Sequence, residues 1–350
     1  MKHTQTVRIG IIGCGKISQI RHIPEYLDNP SAKIVGVCDF NMERARQIAE
    51  QLGAKAYSSA EELLADPKID AVSVCVANNA HCEVTVKALR AGKDVLCEKP
   101  MATNIEECEL MVRTAAECGR KLMIGQNQRL ADAHVKAKEL LEQGAIGKVL
   151  TFRTSFGHSG PESWSVDPGR GTWFFDRKKA VMGVMADLGI HKTDLIQHLL
   201  GQKIVATTAR LVTLDKKGPD GELIGVDDNA ICIYEMDGGA IGTMTASWTY
   251  YGAEDNSTVL YGTLGNMTVY DIDRAPIVIR RNDGSVTEYE VGQIQTNANQ
   301  TKSGIIDSFI DCLENDTEPS ISGADVLAAM KAVFASIKSS EEGVRVTIDR

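Results

Sequence analysis

Short, nearly all-apolar runs alternate with amphipathic stretches through the first third of the chain. Residues 7–12 form the first run, Gly13-Cys14-Gly15 follows, and an amphipathic stretch extends from Ile17 to Leu27. Apolar runs return at 33–38, 71–76, 94–97 and 121–124. Helical patterning fills 42–52 and 80–91, the latter closed by Gly92, and a third helix runs to about Cys118 with Thr103 or Asn104 as its predicted cap. Strands that are apolar on both faces need cover on both sides. The alternation therefore predicts a doubly wound parallel sheet.

From about residue 145 the pattern changes. One long helix is predicted over 184–200, followed by β segments near 205–214, 229–235, 240–250, 257–262, 266–270, 276–281 and 286–290. Their short connections carry Asp237-Gly238-Gly239 and Asn282-Asp283-Gly284, which is hairpin chemistry. The second sheet is thus expected to be large, open and mostly antiparallel, with helices on one face. Helices at 303–315 and 322–339 close the pattern. The fold class is α/β followed by α+β, with a dinucleotide-type domain over 1–125 and a substrate and oligomerisation domain over 126–350. The C-terminal helices are free to pack back on the first domain.

Composition supports two ordered domains. The 350 residues are 43% hydrophobic and 24% charged, which is too apolar for a disordered chain. Against 38 Lys and Arg stand 47 Asp and Glu, a net charge of −9 that argues against a nucleic-acid partner. A phosphorylated small molecule is not excluded, because local fields can oppose the net charge. The nine cysteines include no C-x-x-C pair, and seven fall in the first 118 residues, so they read as buried thiols rather than a disulfide or zinc framework. No apolar run approaches the roughly 18 residues of a membrane span, and the run at 7–12 is too short for a signal peptide. A soluble, cytoplasmic protein with no membrane partner is expected. All three Trp fall in the second half, so the two domains are expected to do different work.

Gly13-Cys14-Gly15-Lys16-Ile17-Ser18 reads G-x-G-x-x-S between a predicted strand and a predicted helix. Gly13 permits a tight turn, Gly15 lets a pyrophosphate approach the backbone, and Ser18 lets helix and strand pack closely. Any glycine-rich turn can imitate this pattern. Here the next strand ends at Asp39, whose carboxylate can accept from an adenosine ribose and would repel a 2′-phosphate. Dinucleotide binding through Gly13, Gly15, Lys16, Ile17 and Asp39 is predicted, with NAD favoured over NADP. Arg44 and Arg46 read as solvated helix positions.

Three further motifs appear in order: Asn78-Asn79-Ala80-His81 after one strand, Glu98-Lys99-Pro100 after another, and Asp187-Leu188-Gly189-Ile190-His191-Lys192-Thr193-Asp194 much later. Taken singly, each is an ordinary surface feature. Together with the glycine turn they resemble the glucose–fructose oxidoreductase, inositol dehydrogenase and rhizopine-catabolism (Gfo/Idh/MocA) family over almost the whole chain. The resemblance implies a Rossmann domain and a catalytic group of Lys99, Asp187 and His191. It also implies Asn78 and His81 on the cofactor side, Glu98 near the nicotinamide ribose or carboxamide, and a homodimer or homotetramer. Residue placement agrees on its own terms. Asp187 and His191 are an i, i+4 pair on one helix face, and Lys99 ends a parallel strand, where open α/β sheets bind ligands.

The implied reaction is hydride transfer between a sugar, cyclitol or related polyol and nicotinamide. His191 would act as general base, Lys99 would stabilise the developing alkoxide, and Asp187 would contact the substrate or hold the polar network. The family often carries Gly-Gly-Gly shortly before the Asp, whereas this chain has Val181-Met182-Gly183. A metal site from Asp187, His191 and His198 lacks a fourth ligand, and none is expected. Two alternatives share the fold: an NAD-dependent glycosidase using an oxidation–elimination cycle, and a cofactor-binding regulator. The retained Lys99, Asp187 and His191 argue against a regulator with a dead site.

On the substrate side, the segment 156–177 mixes aromatic and charged residues. Trp164, Arg170 and Trp173 suit a polyhydroxylated ring, which is apolar on its C–H face. They equally suit a loop packed over the second sheet. Arg153, His158 and Lys192 are further candidates. His22 reads as packing, and Trp248 with Tyr250 as cover for the open sheet face in an oligomer.

Overall fold

A computed structural model describes residues 6–271, 275–294 and 302–349. The chain divides into two compact units, Met1–Gln126 with Lys302–Leu327, and Asn127–Thr301 with Ala328–Arg350.

The first unit is built on six parallel strands: β1 (Val7–Ile12), β2 (Ala32–Cys38), β3 (Lys55–Tyr57), β4 (Ala71–Val74), β5 (Asp94–Cys97) and β6 (Leu122–Ile124). Their order is β3-β2-β1-β4-β5-β6, so the winding reverses between β1 and β4. In sheets of this kind ligands bind at the carboxyl ends of the strands beside that reversal. The central strands are buried on both faces, as their apolar runs require: Ile9, Ile11, Val72, Val74, Val95 and Leu96 have no exposed surface.

Helix α1 (Ile23–Asp28) follows the glycine turn, and α2 (Met42–Leu52) starts where the Asn41 side chain accepts from the Glu43 and Arg44 amides. Gly53, at φ 60°, ends α2. Two short elements that the hydrophobic pattern does not register are β3 and α3 (Ala60–Ala65). The latter is capped by Ser59. Helix α4 (His81–Arg90) precedes β5, and Asn104, rather than Thr103, caps α5 (Ile105–Cys118). Thr103 completes a reciprocal box, its hydroxyl and amide both donating to Glu107. All nine cysteines are free thiols and all but Cys118 are buried.

The second unit carries α6 (Asp132–Glu142), β7 (Val149–Gly157), α7 (Arg177–Ala180), α8 (Ile190–Leu200) and strands β8 (Ile204–Val212), β9 (Asn229–Met236), β10 (Ile241–Ser247), β11 (Thr258–Gly262), β12 (Gly265–Val269), β13 (Ile277–Arg281), β14 (Val286–Tyr289) and β15 (Val346–Thr347). They form one nine-stranded sheet in the order β14-β13-β12-β11-β7-β10-β9-β8-β15. Every pairing is antiparallel except β7 with β10.

The sheet shows a clean two-sided pattern. Along β9, Ala230, Cys232, Tyr234 and Met236 are buried while Ile231 and Ile233 are exposed. Helix α8 lies on the buried side, where the Thr193 and Tyr234 hydroxyls meet at 2.8 Å. Helix α9 (Ile305–Asn315) belongs to the first unit, where Asp307 accepts from Asn29 and the Ser303 amide donates to Glu25. The last helix, α10 (Gly323–Glu342), begins in the first unit and lies mostly in the second. There Ser339 and Ser340 accept from β8 amides.

Val181 adopts φ 64°, the left-handed region that is a genuine outlier for a β-branched residue. It sits four residues before the start of a π-helical turn, Met185–Gly189, that leads into α8. Val181→Gly should raise the unfolding free energy by about 1 kcal/mol, because relieved strain exceeds the added chain entropy. Urea titration of the two proteins measures this, and an unchanged or lowered midpoint would refute the strain.

Among the described residues, no helix is long and apolar enough to cross a membrane.

Candidate active site

The glycine turn is locked to its neighbours by backbone and carboxylate. Gly13 has φ 96°, and a Cβ there would lie 2.4 Å from the Cys75 carbonyl oxygen. Its amide donates to the Cys38 carbonyl at 2.9 Å. The Asp39 carboxylate accepts from the Cys14 and Asn41 amides, both at 2.7 Å, with Arg44 3.6 Å away. Two main-chain donors leave that carboxylate with lone pairs for ribose hydroxyls. Above Gly15 nothing lies within 4 Å of where a side chain would begin. Lys16 and Ile17 are half-buried beside it, and Ser18 is fully buried with its hydroxyl donating to the Gly15 carbonyl. A π-helical turn, Ser18–His22, then leads into α1. Such turns occur often at functional sites. An open glycine at a helix start with a carboxylate beside it fits a dinucleotide.

At the carboxyl ends of β4 and β5 the other first-unit candidates gather. Asn78 is buried in a short 3-10 turn, and Lys99 is half-buried just beyond β5. The His81 ring lies between two main-chain carbonyls, Nδ1 2.6 Å from Pro100 and Nε2 3.1 Å from Val76, and burial lowers its basicity. A ring of lowered basicity carries one N–H, and donating it to Pro100 at the shorter distance ties the start of α4 to the loop after β5. Glu98, expected near the nicotinamide, has its carboxylate taken up inside the unit. His22 Nε2 lies 3.0 Å from Oε1, and the Lys99 amide donates to Oε2 at 3.1 Å. Burial by itself would raise this carboxyl, but His22, Arg21 and Lys99 hold it down at about 2. His22 is thus a network partner rather than packing.

In the second unit the π-helical turn carries Asp187, and the first turn of α8 carries His191. Asp227 holds this turn, accepting from the Gly183 and Met185 amides at 2.8 Å each. A Cβ on Gly183 would lie 1.9 Å from the Asp227 carbonyl oxygen, which accounts for the one glycine kept in Val181-Met182-Gly183. Trp248, expected on the open sheet face, lies instead just past β10, fully buried, with its indole N–H donating to Asp187 Oδ2 at 3.0 Å. Around it, Phe174 and Phe175 make edge and tilted contacts, and Phe174 also meets Trp164 and stacks on Trp173. The segment 156–177 is therefore an aromatic cluster that reaches Asp187 through Trp248.

His191 is buried, its ring 6.0 Å from that of Phe156, and His158 approaches the same Phe156 at 6.1 Å. Arg153 is not brought there. On β7 it alternates with the buried Phe152 and Thr154 and is exposed on the open face, opposite to α8. Arg170 is exposed in the loop. The last Asp of the motif, Asp194, is 1% exposed and receives a two-pronged bond from Arg129, Nε at 2.7 Å and Nη2 at 2.5 Å. That anchors the middle of α8.

Lys192 is also fully buried and donates to the Asn256 carbonyl at 2.9 Å rather than facing an opening. Burial drives its pKa from the ordinary 10.5 down to about 7, against the pull of Asp255 and Glu254. Between those values the folded chain binds fewer protons than the unfolded chain, so this lysine's contribution to stability grows as pH rises. The stability difference between wild type and Lys192→Met should therefore increase across that window by about a few kcal/mol. Comparing the pair cancels the buried cysteines, which act oppositely. Urea titrations stepped through the window measure it, and a flat difference would mean the lysine stays charged.

A doubly wound parallel sheet with an open glycine turn at the end of its first strand is the architecture of a dinucleotide-binding domain. Residues 7–126 match the oxidoreductase family with an NAD-binding Rossmann fold (GFO_IDH_MocA), and residues 134–268 match the GFO/IDH/MocA C-terminal domain. The chain belongs to this family, and its first unit carries the family's NAD-binding domain. It is 25% identical to myo-inositol 2-dehydrogenase of Thermotoga maritima, over 98% of this chain and 99% of that one. It is 26% identical to the NAD(+)-dependent scyllo-inositol 2-dehydrogenase of Bacillus subtilis, over 98% and 96%. A crystal structure of a putative myo-inositol dehydrogenase from Sinorhizobium meliloti superposes with a TM-score of 0.80 at 26% identity, covering 98% of this chain and all of that one.

Proposed function

We propose that this chain is an NAD-dependent dehydrogenase acting on a secondary hydroxyl of a sugar, cyclitol or related polyol. The observation that carries the reading is the joint presence, in family order, of the open glycine turn, Lys99, and the Asp187 and His191 pair. NAD, held at its pyrophosphate by the glycine turn and at its adenosine ribose by Asp39, would supply the hydride acceptor through its nicotinamide. Gly13, Gly15, Lys16, Ile17, Asp39, Asn78 and His81 hold the cofactor in this reading, and Glu98 acts from beneath. His191 takes the hydroxyl proton, as imidazole does readily near neutral pH. Lys99 stabilises the alkoxide as charge develops. Asp187, fixed by Trp248, orients the substrate hydroxyls, while Trp164 and Trp173 offer apolar faces to the ring's C–H side.

The reading includes a cytoplasmic homodimer or homotetramer. Exposed Ile231, Ile233 and Ile241 on the open sheet face support that assembly.

A screen of inositols, aldoses, sugar phosphates and nucleotide sugars, with NAD and NADP in parallel, tests the function. Reduction of NAD by at least one polyol, and preference for NAD over NADP, are expected. Cleavage of nitrophenyl glycosides without net cofactor reduction would replace the reading with a glycosidase. Cofactor binding with no turnover of any kind would replace it with a regulator.

A further inference from the structure

Beneath the glycine turn lies a chain of buried polar groups, of which only Glu98 has entered the reaction as described. The Tyr26 hydroxyl meets Ser73 Oγ at 2.8 Å, Ser73 Oγ meets His22 Nδ1 at 3.1 Å, and His22 Nε2 meets Glu98 Oε1 at 3.0 Å. Glu98 Oε2 then accepts from the Lys99 backbone amide at 3.1 Å. His22 and Ser73 have no exposed surface, Tyr26 has 1% and Glu98 5%. Each link joins a different element: α1, β4, the π-helical turn after the glycine loop, and the strand end that carries the lysine.

We propose that His22 and Glu98 are positioning residues that set the backbone of Lys99, and so its ammonium, from behind. The proposal rests on the reading of Lys99 as a catalytic residue. An ionised carboxylate only accepts, so His22 must donate from Nε2. Its other ring nitrogen, Nδ1, meets the Ser73 hydroxyl, which in turn meets the Tyr26 hydroxyl. His22 is therefore fixed at both nitrogens. Burying a carboxylate is costly unless its oxygens are engaged. Here they are divided between the helix after the glycine turn and the amide of residue 99. Gly125 leaves room for that carboxylate, since a Cβ there would lie 3.1 to 3.2 Å from it. A swing of the Glu98 side chain would break the bond to the lysine's peptide. Displacing a reacting group by about 1 Å can cost on the order of 100-fold in rate.

The test compares His22→Leu, His22→Gln and Lys99→Ala by three readouts: kcat, NAD affinity by fluorescence titration, and the Lys99 backbone amide resonance. Gln offers its N–H2 near where Nε2 stood and should rescue the link to Glu98. Expected for His22→Leu is a kcat lower by about 10- to 100-fold, NAD affinity within about threefold, and a displaced Lys99 amide resonance. His22→Gln should return both kcat and the resonance most of the way. If His22→Leu does not fold, Glu98→Leu and Glu98→Gln take the same two places, since a Gln amide can still accept from the Lys99 N–H. An unmoved Lys99 amide in the Leu variant overturns the proposal, as does a fall in kcat that the Gln variant fails to rescue. If Lys99→Ala keeps full turnover, the catalytic reading of Lys99 fails instead, while the amide resonance still decides whether the relay exists.

Discussion

Lys99→Ala should lower kcat by a factor of about 10² to 10⁴ and leave NAD affinity within a few-fold of wild type. The side chain is half-buried just beyond β5, at the end of the sheet where ligands bind. Its charge is useful only when negative charge develops on the substrate oxygen, so its loss should appear in kcat rather than in cofactor binding. The peptide itself stays in place, because Glu98 grips the amide of residue 99 and not the side chain. Arginine should not rescue the variant, since a planar fork cannot stand in for a compact ammonium at a single oxygen. Steady-state kinetics on the best substrate, with NAD binding followed by fluorescence, measures both quantities. A kcat within about threefold of wild type would remove Lys99 from the chemistry.

The residues that the sequence brings forward are those whose signal is local. Met42–Leu52 and Asp94–Cys97 show their full extent in the hydrophobic pattern, because period and length agree there with caps and turns. The hairpin glycines Gly239 and Gly284 sit at positive φ between antiparallel strands, as their motifs require. Strand β7 escapes because Thr151, Arg153 and Ser155 face the open side and Thr154 the inside, leaving few apolar positions to count. Its parallel partner β10 is also 90 residues further on by register, Ile241 against Thr151. The same distinction runs through the site. Gly13, Lys99, Asp187 and His191 stand in short motifs. His22, Arg129, Asp227 and Trp248 act on partners 76, 65, 44 and 61 residues away, and no spacing rule links them. Motifs expose the groups proposed to touch ligand, while the groups that hold them emerge only once strands and helices are assembled.

Gly13→Ala should destabilise the first unit by about 3 kcal/mol or more and abolish NAD binding, whereas Gly15→Ala should fold normally and still lose affinity. At position 13 two costs coincide. The φ of 96° is unfavourable for any residue with a Cβ, and the new carbon would lie 2.4 Å from the Cys75 oxygen, 2.6 Å from its carbon and 2.8 Å from the Val76 nitrogen. These are main-chain atoms at the end of β4 and cannot swing aside as a side chain can. Relief requires the end of β1 to move, which breaks the Gly13 bond to Cys38 and the Cys14 bond to Asp39. The Asp39 carboxylate would then lose its main-chain anchor together with the turn. At position 15 nothing lies within 4 Å, so an added methyl strains no protein atom and can only fill the space a pyrophosphate would take. Urea titration with NAD titration on both variants separates the fold from the cofactor site. Wild-type NAD affinity in Gly15→Ala would show that the pyrophosphate does not lie over this glycine, and wild-type stability in Gly13→Ala would show that the end of β1 yields without cost.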